Sequence, residues 1–92
     1  METSEISEHK VRVFLFMEEA IGWKTSNEIA SGAKVAPRTA RAIVKNLVGL
    51  GILDMAEVFP GHRYRVATQA EKRNKAFVLR LREAASVFGL SG

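Results

Sequence analysis

The stretch Thr25–Leu53, TSNEIASGAKVAPRTARAIVKNLVGLGIL, decides the architecture of this chain. Thr25 and Glu28 have the Thr-x-x-Glu form of a capping box, in which the hydroxyl and the carboxylate each satisfy a free backbone N–H at a helix start. A short helix is therefore expected to run through about Ala33, with Ile29, Ala30 and Ala33 inward. Lys34–Ala36 is a tight turn. Pro37 then suits the first position of the next helix, where its missing N–H costs nothing. In that helix Ala40, Ile43, Val44, Leu47 and Leu50 recur at core-facing spacing, leaving Arg38, Thr39, Arg41, Ala42, Lys45 and Asn46 outward. Gly51 ends it, and Gly49 weakens its last turn by up to ~1 kcal/mol relative to Ala.

The flanking segments supply the rest of a fold. Ser7–Ile21 carries Val11, Phe14, Leu15, Met17, Ala20 and Ile21 at helical spacing, with Val13 and Phe16 widening the apolar stripe and Gly22 as a stop. Trp23 is expected to cap that end of the core. After Gly51, Ile52–Phe59 and Arg63–Ala67 flank Pro60-Gly61-His62, the pattern of a hairpin with a short loop. Thr68-x-x-Glu71 repeats the capping-box form and opens a last helix to about Phe88, with Ala70, Phe77, Leu81, Ala84, Ala85 and Phe88 sharing one side. The order is α-α-α-β-β-α. Two short helices joined by a tight turn form a helix-turn-helix, and a hairpin directly after them forms a wing.

The segment from Thr25 to Leu53 resembles the winged helix-turn-helix superfamily of bacterial regulators. The places that pattern requires are held without gaps by Thr25, Glu28, Ile29-Ala30, Val35, Thr39, Ala40, Val44, Leu47 and Gly51-Ile52-Leu53. Tyr64-Arg-Val-Ala-Thr68 looks like the second wing strand leading into the last helix. The resemblance covers roughly residues 9–70, about two thirds of the chain, and is specific to the superfamily only. Two departures stand out: Ala36 where Ser or Asn often caps the recognition helix, and Gly49 in its last turn. The resemblance implies a mainly α fold with a small β-hairpin and a long C-terminal helix. Its implied layout is a flexible stretch over residues 1–6 and a single winged-helix domain over 7–92. Within that domain lie the helix-turn-helix (25–50), the wing (52–67) and the last helix (69–88).

The expected partner is double-stranded DNA, with helix 37–50 in the major groove and the 59–65 wing on the minor groove or the backbone. Arg38 and Arg41 stand three apart near the helix start, and each fits a guanine O6/N7 edge in bidentate fashion. Thr39 and the helix N-terminus suit phosphate, and Lys45 and Asn46 suit backbone or flanking bases. Thr25 and Ala42 complete the expected contact set on the helix-turn-helix. Arg63 and Arg65 alternate onto one strand face, opposite Tyr64 and Val66, and His62 is expected at the hairpin tip. The competing readings are an ordinary solvated helix face for Arg38, Arg41 and Lys45, and exposed-strand arginines that discourage edge pairing for Arg63 and Arg65.

Composition bounds the alternatives. The 92 residues contain no cysteine, which removes thiolate chemistry and disulfides and suits a reducing cytoplasm. The longest apolar run, Val13–Met17, is far short of a membrane span, and the acidic start METSEISE does not read as a signal peptide. His9 and His62 are the only histidines and no carboxylate stands at ligand spacing beside either, so no metal or other cofactor is expected. Glu18 and Glu19 diverge on a helix, so no acid–base pair or other catalytic set is present. Charge is uneven: residues 1–33 hold three basic and six acidic side chains, net −3, and residues 34–92 hold eleven and four, net +7. Such asymmetry favours a polyanionic partner for the second part of the fold.

The function expected is a sequence-specific DNA-binding transcriptional regulator, acting as a repressor that occludes a promoter. A replication, partition or mobile-element accessory factor fits the same residues. A winged helix turned to protein–protein contact is the rival of another class, and the basic helix face counts against it. A homodimer is expected through the C-terminal helix, where Ala70/Phe77/Ala84 and Asn74/Leu81/Phe88 stand at heptad spacing, with helix 1 a possible contributor; the alternative is that this helix only covers the core.

Overall fold

The computed structural model describes residues 6–58, 61–69 and 73–90. Its elements follow the expected order: α1 (Glu8–Glu19), α2 (Ser26–Ala33), α3 (Pro37–Gly49), β1 (Leu53–Val58), β2 (Gly61–Val66) and α4 (Lys75–Phe88).

Helix α1 starts because the Ser7 side chain accepts from the Lys10 N–H at 3.1 Å. Glu8 in the first turn suits the helix dipole and pairs with Arg12 one turn on, at 2.6 Å. Val11, Val13, Phe14 and Met17 are buried. The helix ends at Glu19, two residues before the expected Ile21, because Ala20 is already extended. Ile21 thereby leaves the apolar stripe and is 91% exposed. Ile6, expected in a flexible stretch, is partly buried against the core; residues 1–5 lie outside the described residues.

The capping box that opens α2 is complete: the Glu28 N–H donates to Thr25 Oγ1 (3.1 Å) and the Thr25 N–H to Glu28 Oε1 (2.9 Å). Ile29, Ala30 and Ala33 turn into the core. The chain then reverses at Lys34, which adopts the left-handed conformation (φ 62°, ψ 46°) at the helix C-cap. The N–H of Val35 donates to the Ala30 carbonyl at 3.0 Å and holds that turn. Pro37 begins α3, and Ala40, Ile43, Val44 and Leu47 are buried against α2 and α1. Burying such side chains stabilises the domain by roughly 1.5–3 kcal/mol each for the larger ones.

The two strands pair antiparallel in the register Leu53↔Val66, Asp54↔Arg65, Met55↔Tyr64, Ala56↔Arg63, Glu57↔His62 and Val58↔Gly61. This corrects one sequence expectation. Gly61 and His62 belong to the second strand, so His62 stands opposite Glu57 instead of in a turn; Phe59 and Pro60 lie outside the described residues. The outer edge of β2 is also not free, because Lys24 and Tyr64 exchange two backbone hydrogen bonds of 2.8 Å. That bridge adds a short third rung to the sheet and satisfies an edge that would otherwise expose its amides.

The described part of the last helix begins at Lys75; ahead of it the Arg73 N–H donates to the Gln69 carbonyl at 2.8 Å, and residues 70–72 lie outside the described residues. Asn74 is its N-cap: its Oδ1 accepts from the Phe77 N–H (3.4 Å) while its Nδ2 donates to the Leu50 carbonyl at the end of α3 (3.3 Å). Of the Thr68-x-x-Glu71 box, Glu71 lies outside the described residues, as does Ala70. Phe77, Val78, Leu81 and Ala85 are buried in the core, so Phe77 and Leu81 of the expected heptad sets are used within the chain, whereas Ala84 is half-buried and Phe88 is 41% exposed. The outward face of α4 also carries Leu79 (46% exposed) and Val87 (83% exposed).

Candidate nucleic-acid interface

The outer side of α3 is the most cationic uncovered surface that the helix-turn-helix presents. Arg38, Arg41, Ala42, Lys45 and Asn46 are exposed and Thr39 is half-buried. The aliphatic set occupies the opposite arc, and this division keeps the outer arc free of large apolar groups. Ala36 makes no side-chain cap and no acidic residue stands in the first turn. The first N–H groups of α3 and the positive end of its dipole are therefore offered outward.

Some cations of the described surface are paired with carboxylates and others are not. Arg12 pairs with Glu8, Arg82 with Glu18 at 2.7 Å, and Arg73 with Asp54 at 3.3 Å. Among the described residues, Arg38, Arg41 and Lys45 have no carboxylate within ion-pair distance. Exposed pairs contribute little to stability, but they do cancel local field. Among the described residues Lys24, Lys34, Arg63, Arg65, Lys75 and Arg80 make no ion pair either, so what sets α3 apart is that three unpaired cations share one side of a single helix.

The hairpin sorts its side chains by parity. Met55, His62 and Tyr64 face α3 and, with Arg41, Lys45 and Val48, line a cleft of about 400 Å³ between helix and hairpin. His62 Nε2 lies 3.3 Å from Glu57 Oε2 across the strand pair. Alternation turns Arg63 and Arg65 to the other face of the hairpin. There Arg65 stacks its guanidinium 4.5 Å from the centroid of the Trp23 ring. Trp23 is 38% exposed, so it serves as a platform for Arg65 and does not close off the core. Arg63 is half-buried, with its Nη1 3.4 Å from the His62 carbonyl.

Thr25 is half-buried and its hydroxyl is engaged in the α2 cap. The same cap lowers the pKa of Glu28: the Thr25 N–H donated to its carboxylate favours the ionised form, partial desolvation opposes this, and the nearby charges of Lys24 and Arg63 add to the lowering.

The expected contact residues therefore fall into two groups. Arg38, Thr39, Arg41, Ala42, Lys45 and Asn46 share the outer side of α3, and His62 joins them across the cleft. Arg63 and Arg65 lie on the far face of the hairpin. Met55, Val48 and Tyr64, not among the expected contacts, form the cleft floor. Parity alone links His62 with Tyr64 and Met55 once His62 is placed in a strand.

No helix among the described residues is long and apolar enough to cross a membrane, and none of their His, Asp and Glu side chains cluster in threes that could hold a metal ion. Neither a protein-family model nor a curated protein matches the sequence. Solved structures do. The ST1889 protein of the thermoacidophilic archaeon Sulfolobus tokodaii is similar over 91% of this chain and 84% of its own, with a TM-score of 0.67 and 23% identity. A MarR family transcriptional regulator from Silicibacter pomeroyi is similar over 98% of this chain, with a TM-score of 0.63 and 15% identity. Human N-acetylserotonin methyltransferase is similar over 70% of it, with a TM-score of 0.60 and 20% identity. The chain spans 60% of the regulator and 18% of the methyltransferase. At such identities the likeness is one of fold, and a fold shared by a regulator and part of an enzyme leaves function to the site. Two helices across a left-handed turn, a hairpin behind them and packed helices on either side give this chain a winged helix-turn-helix fold, mainly helical with one small hairpin.

Proposed function

We propose that this protein is a sequence-specific double-stranded DNA-binding transcriptional regulator rather than a catalyst. In this reading α3 lies in the major groove, the hairpin lies beside the adjacent minor groove or backbone, and occupancy of a promoter represses it. The observation that carries the proposal is the set Arg38, Arg41 and Lys45, exposed on one side of α3 without carboxylate partners among the described residues, while Arg12, Arg73 and Arg82 are each paired. Three cations gathered on one side of one helix without a counter-charge raise the local potential toward a polyanion. A protein-docking face would carry large apolar anchors among these residues, and Arg38, Arg41, Ala42, Lys45 and Asn46 include none. The regulator from Silicibacter pomeroyi supports the reading by fold. The protein acts in the cytoplasm as a homodimer on this view, because one small winged helix reads few base pairs and two copies read two half-sites. Leu79 and Val87 on the outer side of α4 are the apolar residues offered for that contact.

Fluorescence anisotropy with labelled duplexes tests the proposal. Binding is expected at low salt, weakening about 40-fold between ~50 and ~200 mM if three phosphates are neutralised. Absence of binding to random and genomic duplexes at low salt refutes it.

A further inference from the structure

The cleft between α3 and the hairpin divides the cations of α3 by role. At about 100° per residue, Val48, Arg41, Lys45 and Arg38 succeed one another around the helix, with Val48 and Arg41 nearest the hairpin and Arg38 about 60° farther out than Arg41. The lining of the cleft agrees, since it includes Arg41, Lys45 and Val48 but not Arg38. Its floor is apolar: Val48 is half-buried, Met55 is 46% exposed, and Tyr64 contributes a half-buried ring. Its rim is cationic on the helix side and carries the His62 imidazole on the hairpin side, with Glu57 beside it.

We infer that this cleft seats one sugar–phosphate strand of the duplex, with Arg41, Lys45 and His62 holding its phosphates, so that base reading by α3 falls to Arg38. The inference rests on the proposed DNA-binding function and assigns parts within it. A helix in the major groove and a hairpin at the neighbouring minor groove have the intervening strand between them. The lining matches that occupant on both counts. The carbon face of a deoxyribose suits Met55, Val48 and the Tyr64 ring, and a phosphate suits a guanidinium, an ammonium and an imidazole N–H converging from two sides. An arginine that reads a guanine edge must extend away from the helix axis toward the groove floor. Arg38 has that direction; Arg41 is turned toward the hairpin. The Glu57 carboxylate, 3.3 Å from His62 Nε2, orients the imidazole while placing a negative charge close to the strand.

The test uses the full chain and two duplexes: one selected by the protein from a random pool, and a scrambled duplex of the same composition. For each variant, affinity on both duplexes is followed over a salt series by anisotropy. Arg41→Ala is expected to weaken binding to the two duplexes by the same factor, leave their ratio within threefold of wild type, and reduce the slope of log affinity against log salt by about one. Arg38→Ala is expected to lower the ratio between duplexes by about 5- to 100-fold, the loss of one bidentate base contact. Met55→Glu, at a half-exposed position that leaves the core untouched, puts a carboxylate on the cleft floor and is expected to weaken both duplexes by at least about tenfold. Circular dichroism checks that each variant is folded. If Arg41→Ala collapses the ratio with the salt slope unchanged, or Met55→Glu binds as wild type does, the assignment of the strand to the cleft is overturned. If wild type binds neither duplex at low salt, the DNA-binding reading itself fails.

Discussion

Gly32 on α2 faces the ring of Phe16 on α1, and a Cβ at position 32 would overlap that ring. Alanine is the better helix former by about 1 kcal/mol, whereas forcing a methyl into a filled contact costs about 1–3 kcal/mol. Gly32→Ala is therefore expected to destabilise the protein by about 1 kcal/mol in urea unfolding. On a Phe16→Ala background the same change should become stabilising, since only the helix preference remains; destabilisation in both backgrounds would show that the ring is not the cause. Glu28 offers a second residue-level test, this time in pH. Its carboxyl is held below the usual carboxylate range by the Thr25 N–H, so its contribution to stability is present above the unfolded carboxylate range and lost as pH falls through the folded value. The advantage of wild type over Glu28→Gln in thermal unfolding is expected to shrink as pH drops from 6 to 3. An advantage that is constant across that interval would mean the carboxylate is no more favoured in the folded protein than in the unfolded one.

At the scale of elements, Asn74 joins two helix ends with one side chain, accepting from the first turn of α4 and donating to the last carbonyl region of α3. Asn74→Ala removes a cap and leaves the part-buried Leu50 carbonyl short of a donor, a loss expected at about 1–3 kcal/mol by denaturant titration. Asn74→Asp keeps the cap but not the donor and should recover part of it; no recovery would place the whole effect on Leu50. This junction was not legible in the sequence, because its partners are 24 residues apart and Thr68-x-x-Glu71 offers a more conventional helix start. The α2–turn–α3 unit was legible because everything that shapes it is local: Thr25 and Glu28 bond to each other, and Pro37 acts on its own backbone. The hairpin was half legible. Alternation fixed which residues share a face, but Pro60-Gly61 drew the turn too wide and so put His62 at a tip. Trp23 was misplaced for a non-local reason as well, since the bridge from Lys24 to Tyr64 carries it to the sheet edge beside Arg65.

The whole molecule joins a covered side and an uncovered one, and both bear on assembly. Phe77 and Leu81 turn into the core, so a dimer through α4 has to use the opposite face, where helical spacing aligns Ala76, Leu79, Glu83 and Val87. Val87 at 83% exposed and Leu79 at 46% are large apolar groups left open to solvent in the single chain, on a helix whose inner face is otherwise well used. The sequence pattern pointed to stripes whose Phe77 and Leu81 are buried within the chain, because heptad spacing does not distinguish a stripe buried within a chain from one buried between chains. Under the proposed function, Leu79→Lys with Val87→Lys should convert a dimer to a monomer in sedimentation at micromolar concentration. The monomer should stay folded, because neither side chain contributes to the core. Its affinity for a duplex carrying one half-site should be preserved, while its preference for two correctly spaced half-sites over one should vanish. A dimer that persists in the double variant would move the interface elsewhere. A wild type that sediments as a monomer and prefers paired half-sites no more than single ones would make each winged helix an independent reader.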